Sequence, residues 1–169
     1  YILDDGNYFL SSLSGKTYVR GKAVLLVTGS ISMSGLDEIR IKSGRTLKLY
    51  MAGASADLGG NGVINSSGGA TNFAYYGLPA NTSLSISGNG TITGTVYAPN
   101  ASLTLTGSGT EDTDFVGAAI ANTARLNGHF NFHYDEALAK FGPARGFIIT
   151  DWEEMTPGEV ACTSITLDF

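Results

Sequence analysis

Short runs of alternating apolar and small polar residues, separated by glycine-bearing corners, fill most of the chain. Leu84-Ser-Ile86 and Leu103-Thr-Leu105 are typical, and each is followed within a few residues by a Ser-Gly or Thr-Gly corner. Alternation with a period of two predicts a β-strand with one buried face. Glycine and asparagine at the corners favour tight turns because they take positive φ easily. The pattern therefore predicts many short strands joined by tight turns.

The runs recur at a nearly constant spacing, which predicts how the strands are arranged. The run Leu25–Gly35 matches Leu49–Gly59 at an offset of 24, and later runs follow at similar steps. This repeat predicts an all-β fold, a right-handed parallel β-helix of about five to six coils, in which each coil buries its inward row against its neighbours. A predicted core ladder has steps of 24, 24, 22 and 23 and consists of Val27, Met51, Tyr75, Tyr97 and Ile120.

Two further ladders accompany the first one. The second contains Leu84, Leu103 and Ala124, and a looser third begins with Ile39 and Val63. Three inward rows in one repeat predict coils with three sides.

The last part of the chain departs from the repeat. Residues 1–132 are predicted to form the coils, and residues 133–169 a short helix and strands that pack on the solenoid or cap it, within a single domain. The helix is predicted at 134–140, where acidic residues come first and Lys140 last, as the helix dipole favours. Strands are predicted at 147–149 and 160–167.

Charge and cysteine content narrow the function. The chain has 10 Lys and Arg against 15 Asp and Glu, a net charge of −5, which disfavours nucleic acids and anionic membranes as partners. Its single cysteine, Cys162, rules out an internal disulfide framework and a cysteine-based zinc site. No apolar run approaches the ~20 residues that a membrane-spanning helix needs.

Two segments carry a family resemblance. The run Gly94-Thr-Val-Tyr-Ala-Pro-Asn-Ala101 and the later His133-Tyr-Asp-Glu-Ala-Leu138 resemble a bacterial surface-protein domain of unknown function. Domains of this type are found C-terminal to PilX-like pilin segments, and the glycine alternation is distantly similar to that of bactofilins. The resemblance implies an extracellular or cell-surface setting and a role in assembly or adhesion. It implies no catalytic residues.

Candidate metal and catalytic residues are few. Glu111, Asp112 and Asp114 form an acidic loop and are weak candidates for binding calcium, because the full spacing of a calcium loop is absent. His129, His133 and Asp135 lack the further ligands that zinc needs, and a hydrogen-bonded turn at 133–135 is the favoured interpretation. We expect no cofactor.

Catalysis is not expected either. The best carboxylate candidates are Asp112, Asp114 and Asp135, but no repeated column of Asp or Glu accompanies them, whereas glycosidases need two carboxyl groups at a defined separation. Exposed threonines such as Thr104 and Thr106 raise the alternative of a surface that docks on ice or crystalline polysaccharide. Threonine is also the ordinary residue of an exposed strand.

The sequence therefore predicts a non-enzymatic structural or adhesive module of a bacterial cell-surface assembly or filament. Its expected partners are further copies of itself or other surface proteins. The alternative is an extracellular β-helix that binds or cleaves carbohydrate. The predicted interaction residues are Trp152, Ile165 and Leu167, the last two on a C-terminal strand suited to edge pairing.

Overall fold

The computed structural model describes residues 1–88, 92–107, 115–128 and 131–140. Strands make up 63% of these residues, and only two 3-10 helices, Ala70–Asn72 and Glu136–Lys140, lie among them, so the chain is all-β. The strands are β1 (Ile2–Leu3), β2 (Gly6–Leu10), β3 (Lys16–Val19), β4 (Lys22–Val27), β5 (Ile31–Met33), β6 (Glu38–Ile41), β7 (Thr46–Met51), β8 (Ser55–Leu58), β9 (Val63–Asn65), β10 (Phe73–Gly77), β11 (Ser83–Gly88), β12 (Ile92–Gly107), β13 (Phe115–Asn127) and β14 (Phe132–Tyr134).

Every strand pairing is parallel, and the strands stack on three sides of a β-solenoid. Side A consists of β1, β3, β6 and β9. Side B consists of β2, β4, β7, β10, the first parts of β12 and β13, and β14. Side C consists of β5, β8, β11 and the second parts of β12 and β13. The predicted parallel β-helix is confirmed.

The number of three-sided coils is smaller than predicted. The solenoid makes about four turns, matching the four strands of side A. Above β9, β12 and β13 each run directly from side B to side C, with a register shift where β12 turns between Ala98 and Ser102. The last passes therefore have two described sides instead of three.

Alternating side chains fill the interior. In β4, Ala23, Leu25 and Val27 are buried and the residues between them are not, so one face of the strand lies inside the column. Leu25 pairs with Leu49, which pairs with Tyr75, which pairs with Val96, and all four are at most 3% exposed. Like stacks on like along the column, and this continuous apolar core is the main source of stability.

The predicted core ladder is correct for the direct pair Val27 and Met51, whereas Tyr75 is buried but pairs with Leu49, and the prediction is wrong for the last two residues. Val27, Met51 and Tyr75 are buried, but Tyr97 is 50% exposed and Ile120 is 56% exposed. In the observed register Met51 pairs with Gly77, a step of 26 from residue 51, and Tyr97 pairs with Tyr76. All five residues lie on side B, yet a shift by one residue turns a side chain to the opposite face of a strand.

The second ladder and the start of the third are observed as direct strand pairings. Leu84, Leu103 and Ala124 are directly paired on side C, as predicted. Ile39 and Val63 are paired on side A. The corners where coils meet are tight: a Cβ atom on Gly53 would collide with the carbonyl oxygen of Gly29, so the backbones approach closely there.

Candidate functional site

Most of the candidate residues taken from the C-terminal sequence lie outside the described residues. These are Glu111, Asp112, Asp114, His129, Trp152, Ile165 and Leu167, together with Cys162 and both predicted C-terminal strands. His133 and Asp135 are described. Among the described residues, no group of three or more His, Cys, Asp or Glu side chains is placed to hold a metal ion.

Asp135 fixes the turn into the second 3-10 helix. Its Oδ1 accepts a hydrogen bond from the backbone N–H of Ala137 at 3.0 Å, and its Oδ2 accepts one from the N–H of Ala70 at 3.1 Å. The same carboxylate therefore starts one 3-10 helix and ties it to the other. The hydrogen-bonded turn favoured for this segment is confirmed, and it places Leu138 over the outer face of side B.

A row of apolar side chains runs along the outside of side B. Each member pairs directly with the next on successive strands, over roughly 24 Å for five strand spacings. We call these residues the outer apolar row: Phe9, Leu26, Tyr50, Tyr76, Tyr97 and Ile120. Phe9, Tyr97 and Ile120 are at least half exposed, and the rings of Tyr50 and Tyr76 stack with centroids 4.8 Å apart.

Two shallow grooves flank this row, and Tyr76 lines both. One, of about 420 Å³, lies between the sheet and Leu138 and includes Lys48, Ala74 and Thr95. The other, of about 330 Å³, lies beside the corner and includes Tyr97, Pro79, Pro99 and Asn100. Apolar surface flanked by such grooves is typical of a site that contacts a partner or a glycan.

The last coil leaves an inward column uncovered. On side C, five directly paired residues form one column: Met33, Leu58, Ile86, Leu105 and Leu126. The first four are at most 3% exposed, whereas Leu126 is 50% exposed. Among the described residues no strand pairs with 123–127 on the side away from β12, because β14 pairs only with 115–117. We call this edge, which has no strand partner within the described part of the chain, the open edge of β13.

A buried polar cluster links the coils at one corner. The hydroxyl of Tyr75 donates to Oδ1 of Asn81 at 2.9 Å, and Nδ2 of Asn81 faces the backbone carbonyls of Gly53, Ala54 and Ser83 at 3.2–3.4 Å. Burial raises the pKa of the Tyr75 hydroxyl well above its usual range, although the bond to Asn81 partly opposes this. The hydroxyl stays protonated and serves as a hydrogen-bond donor.

Exposed threonines do not form a regular grid. Thr104 pairs with Ser85 on one side and with Arg125 on the other, so the row changes character within three strands. The alternative of docking on a crystalline surface finds no repeated threonine column here. No helix among the described residues has the length and apolar character needed to cross a membrane.

Comparison with known protein families gives a match over most of the chain. The model of a family described as a domain of unknown function (DUF7305) matches residues 1–141. No curated protein and no solved structure matches the chain.

Proposed function

The chain belongs to the DUF7305 family, and we propose that it is a non-enzymatic structural or adhesive module of a bacterial cell-surface assembly. In this proposal the solenoid is a rigid column that holds its contact surfaces at fixed positions. The resemblance of its His-Tyr-Asp-Glu-Ala-Leu run to domains that follow PilX-like pilin segments supports an extracellular setting.

The open edge of β13 is the observation that carries the proposal. Leu126 occupies an inward position that four earlier coils bury, and here it is half exposed. An unpaired strand edge beside an uncovered apolar side chain accepts another extended strand, because backbone hydrogen bonds and side-chain burial are gained together. A strand from a second copy is the proposed occupant.

A strand that pairs with this edge needs two apolar residues at positions i and i+2, opposite Ala124 and Leu126. Ile165 and Leu167 have that spacing in the sequence, although they lie outside the described residues. They are the proposed donors. A donor from one copy and an acceptor on the next make a heterologous contact, which generates a ring or an open filament.

The test is the state of association of the purified chain. Leu126→Lys places a charge on the open edge, and Leu36→Lys is the matched control, since Leu36 is 73% exposed in the loop between β5 and β6. We expect sedimentation velocity and electron microscopy to show assemblies for wild type and Leu36→Lys, and monomers for Leu126→Lys.

Removal of residues 160–169 deletes the proposed donor strand and leaves the acceptor edge of β13 in place. We expect this truncated chain to remain monomeric, and to join assemblies of wild-type chains as a terminal subunit. If wild type is monomeric under all conditions, or if both alterations leave assembly unchanged, the proposed association through β13 is wrong.

The outer apolar row favours a second candidate function, the binding of a glycan. Tyrosine combines an apolar ring with a polar hydroxyl, as carbohydrate surfaces require, and Asn100 and Thr95 add hydrogen-bonding groups beside it. Tyr97→Ala should abolish binding on a glycan array, and Tyr134→Ala, an equally exposed tyrosine elsewhere, should not. Release of reducing ends from a polysaccharide would indicate cleavage as well as binding.

A further inference from the structure

Although the net charge of the chain is negative, side A carries a basic region. Residues 1–50 contain seven of the ten Lys and Arg but only four of the fifteen Asp and Glu. Three of these cations, Arg20, Arg40 and Lys42, line a single groove of about 520 Å³ on the outer face of side A. This volume is within the range of ligand sites, which is about 300–1,000 Å³.

The parallel register arranges the groove as two rows along the column. Ile2, Tyr18 and Arg40 are directly paired on β1, β3 and β6 and form the first row. Arg20 and Lys42 follow the ends of β3 and β6. Their backbone N–H groups donate to the carbonyls of Leu3 and Val19 in the coil below, at 2.7 and 3.0 Å.

Ser66 continues the second row, because its N–H donates to the carbonyl of Ile41 in the same way. Arg20, Lys42 and Ser66 therefore repeat at the strand spacing of about 4.8 Å, parallel to the first row. The first row supplies Ile2, an exposed tyrosine ring and the Arg40 guanidinium, and the second supplies a line of polar and cationic groups.

Neighbouring carboxylates hold both guanidinium groups in place. Arg20 donates through Nε and Nη2 to Asp4 at 3.0 and 2.8 Å, and Arg40 donates through the same atoms to Glu38, both at 3.2 Å. A guanidinium has five N–H donors, so each arginine keeps three for a ligand. Lys42 forms no ion pair with any carboxylate in the described part of the chain.

We propose that this groove binds a carboxylated polysaccharide, with the sugar chain parallel to the column axis. Sugar rings would lie against Tyr18 and Ile2, and carboxylates would accept hydrogen bonds from Arg20, Arg40 and Lys42. The arginine fork matches carboxylate geometry. A linear polymer with repeated charges fits cations that repeat along one direction. This inference is independent of the association through β13.

The test compares one acidic and one neutral polymer. Polygalacturonate should bind in isothermal titration at about 50 mM salt and bind far more weakly at about 500 mM, because exposed charges are screened. Dextran should not bind. The double variant Arg20→Gln, Lys42→Gln should reduce affinity at least about tenfold, since it removes two charge-assisted contacts.

Lys22→Gln is the matched control. Lys22 is an exposed cation on β4, on side B. The affinity of the Lys22→Gln variant for polygalacturonate should stay within about twofold of wild type, because a single distant charge contributes little at moderate salt. An equal loss in Lys22→Gln and in the double variant would show attraction to overall charge and overturn the proposed site.

A third polymer identifies the chemistry that the groove selects. Poly-glutamate carries carboxylates without sugar rings and should bind at least about tenfold more weakly than polygalacturonate if Tyr18 and Ile2 contact the sugars. Equal binding of the two polymers would instead assign the groove to an acidic polypeptide. Absence of binding by polygalacturonate at low salt would overturn the proposal outright.

Discussion

The middle coils and the last described coil present the same kind of side chain at the same inward position, with opposite results. Leu105 on β12 is 1% exposed, and its direct partner on β13, Leu126, is 50% exposed. Both follow the same alternation in the sequence. The difference is the next layer, which β13 supplies above Leu105 and which no described strand supplies above Leu126. In a solenoid, burial is therefore a property of the stack and not of the single strand.

The largest expected difference is between the destabilisation caused by a charge in the middle of the column and that caused by the same charge at its end. Met51 is fully buried, so Met51→Asp should lower the free energy of unfolding by about 4 kcal/mol or more, which is a large part of a domain's stability. In monomeric protein, Leu126→Asp should lower it by about 1 kcal/mol or less, because there the carboxylate reaches water. Urea unfolding followed by circular dichroism measures both values.

A melting temperature close to wild type for Met51→Asp would contradict the buried column. A large loss for monomeric Leu126→Asp would show that this edge is covered within a single chain, since only a buried position penalises an unpaired charge so strongly. The two variants therefore test the two halves of the comparison separately.

The repeat could be predicted from the sequence because every coil needs an inward apolar row, but the register could not be predicted fully. The observed steps after Met51 are not constant: Met51 pairs with Gly77, and Tyr76 pairs with Tyr97, 21 residues later. The 3-10 helix Ala70–Asn72 lengthens one coil, and the next, which has no described strand on side A, is shorter.

The alternation in the sequence does not reveal this change of register, because side B carries apolar residues on both of its faces. Tyr97 and Ile120 belong to the outer apolar row, so each has the residue type expected of the core. For the same reason, the outer apolar row could not be recognised from the sequence as a candidate surface. The basic groove could not be predicted for another reason. The net charge averages over the whole chain, whereas the folded coils bring Arg20, Arg40 and Lys42 together.

The polar cluster at the corner is the next strongest test, since it exists only where coils are stacked on both sides. Asn81→Ala removes the partner of the Tyr75 hydroxyl and the amide group that faces three backbone carbonyls, of which that of Ala54 still accepts from the N–H groups of Thr82 and Ser83. We expect a loss of about 2–3 kcal/mol in the free energy of unfolding. Tyr75→Phe should lose about 1 kcal/mol, and the double variant less than the sum of the two.

Additive losses in that cycle would show that Tyr75 and Asn81 act independently, contrary to the hydrogen bond between them. The control is Asn100→Ala. This exposed side chain donates to the carbonyl of Pro79, which lies in the same connection between β10 and β11 as Asn81, and its loss should change stability by about 0.5 kcal/mol or less.

A buried threonine on side A offers a change in the opposite direction. Thr17 is fully buried between coils, and its hydroxyl has no hydrogen-bond partner in the described structure. Thr17→Val keeps the shape and removes the unpaired hydroxyl, so we expect a gain of about 1 kcal/mol. Thr123→Val on the last coil removes a hydrogen bond to Ser102 from an exposed residue and should give no gain.

Denaturant unfolding of both threonine variants decides this point. Destabilisation by Thr17→Val would mean that the hydroxyl has a partner that stabilises the fold. Equal gains in both variants would indicate a general preference of these strands for valine, and the contrast between the interior and the end of the column would then not explain the result.

The smallest expected effect separates two ion pairs that differ in their position in the stack. Glu38 and Arg40 lie on β6 between neighbouring strands, whereas Asp4 in the first coil pairs with Arg20 in the second. The Glu38 side chain is 6% exposed against 60% for Asp4. The hydrogen bonds from Arg40, and less strongly its charge, hold the pKa of Glu38 below its ordinary value of 4.5. Ionised Glu38 therefore favours the folded state.

The contribution of Glu38 is complete above its unfolded-state pKa of about 4.5 and is lost as the pH falls through the lower folded-state value. Glu38→Gln should therefore lower the melting temperature at pH 7 and change it little near pH 3. Asp4→Asn should change the melting temperature in the same direction but by less, because water screens the exposed ion pair of Asp4 with Arg20. An equal effect of both substitutions between pH 3 and pH 7 would show that position in the stack does not strengthen an ion pair on side A.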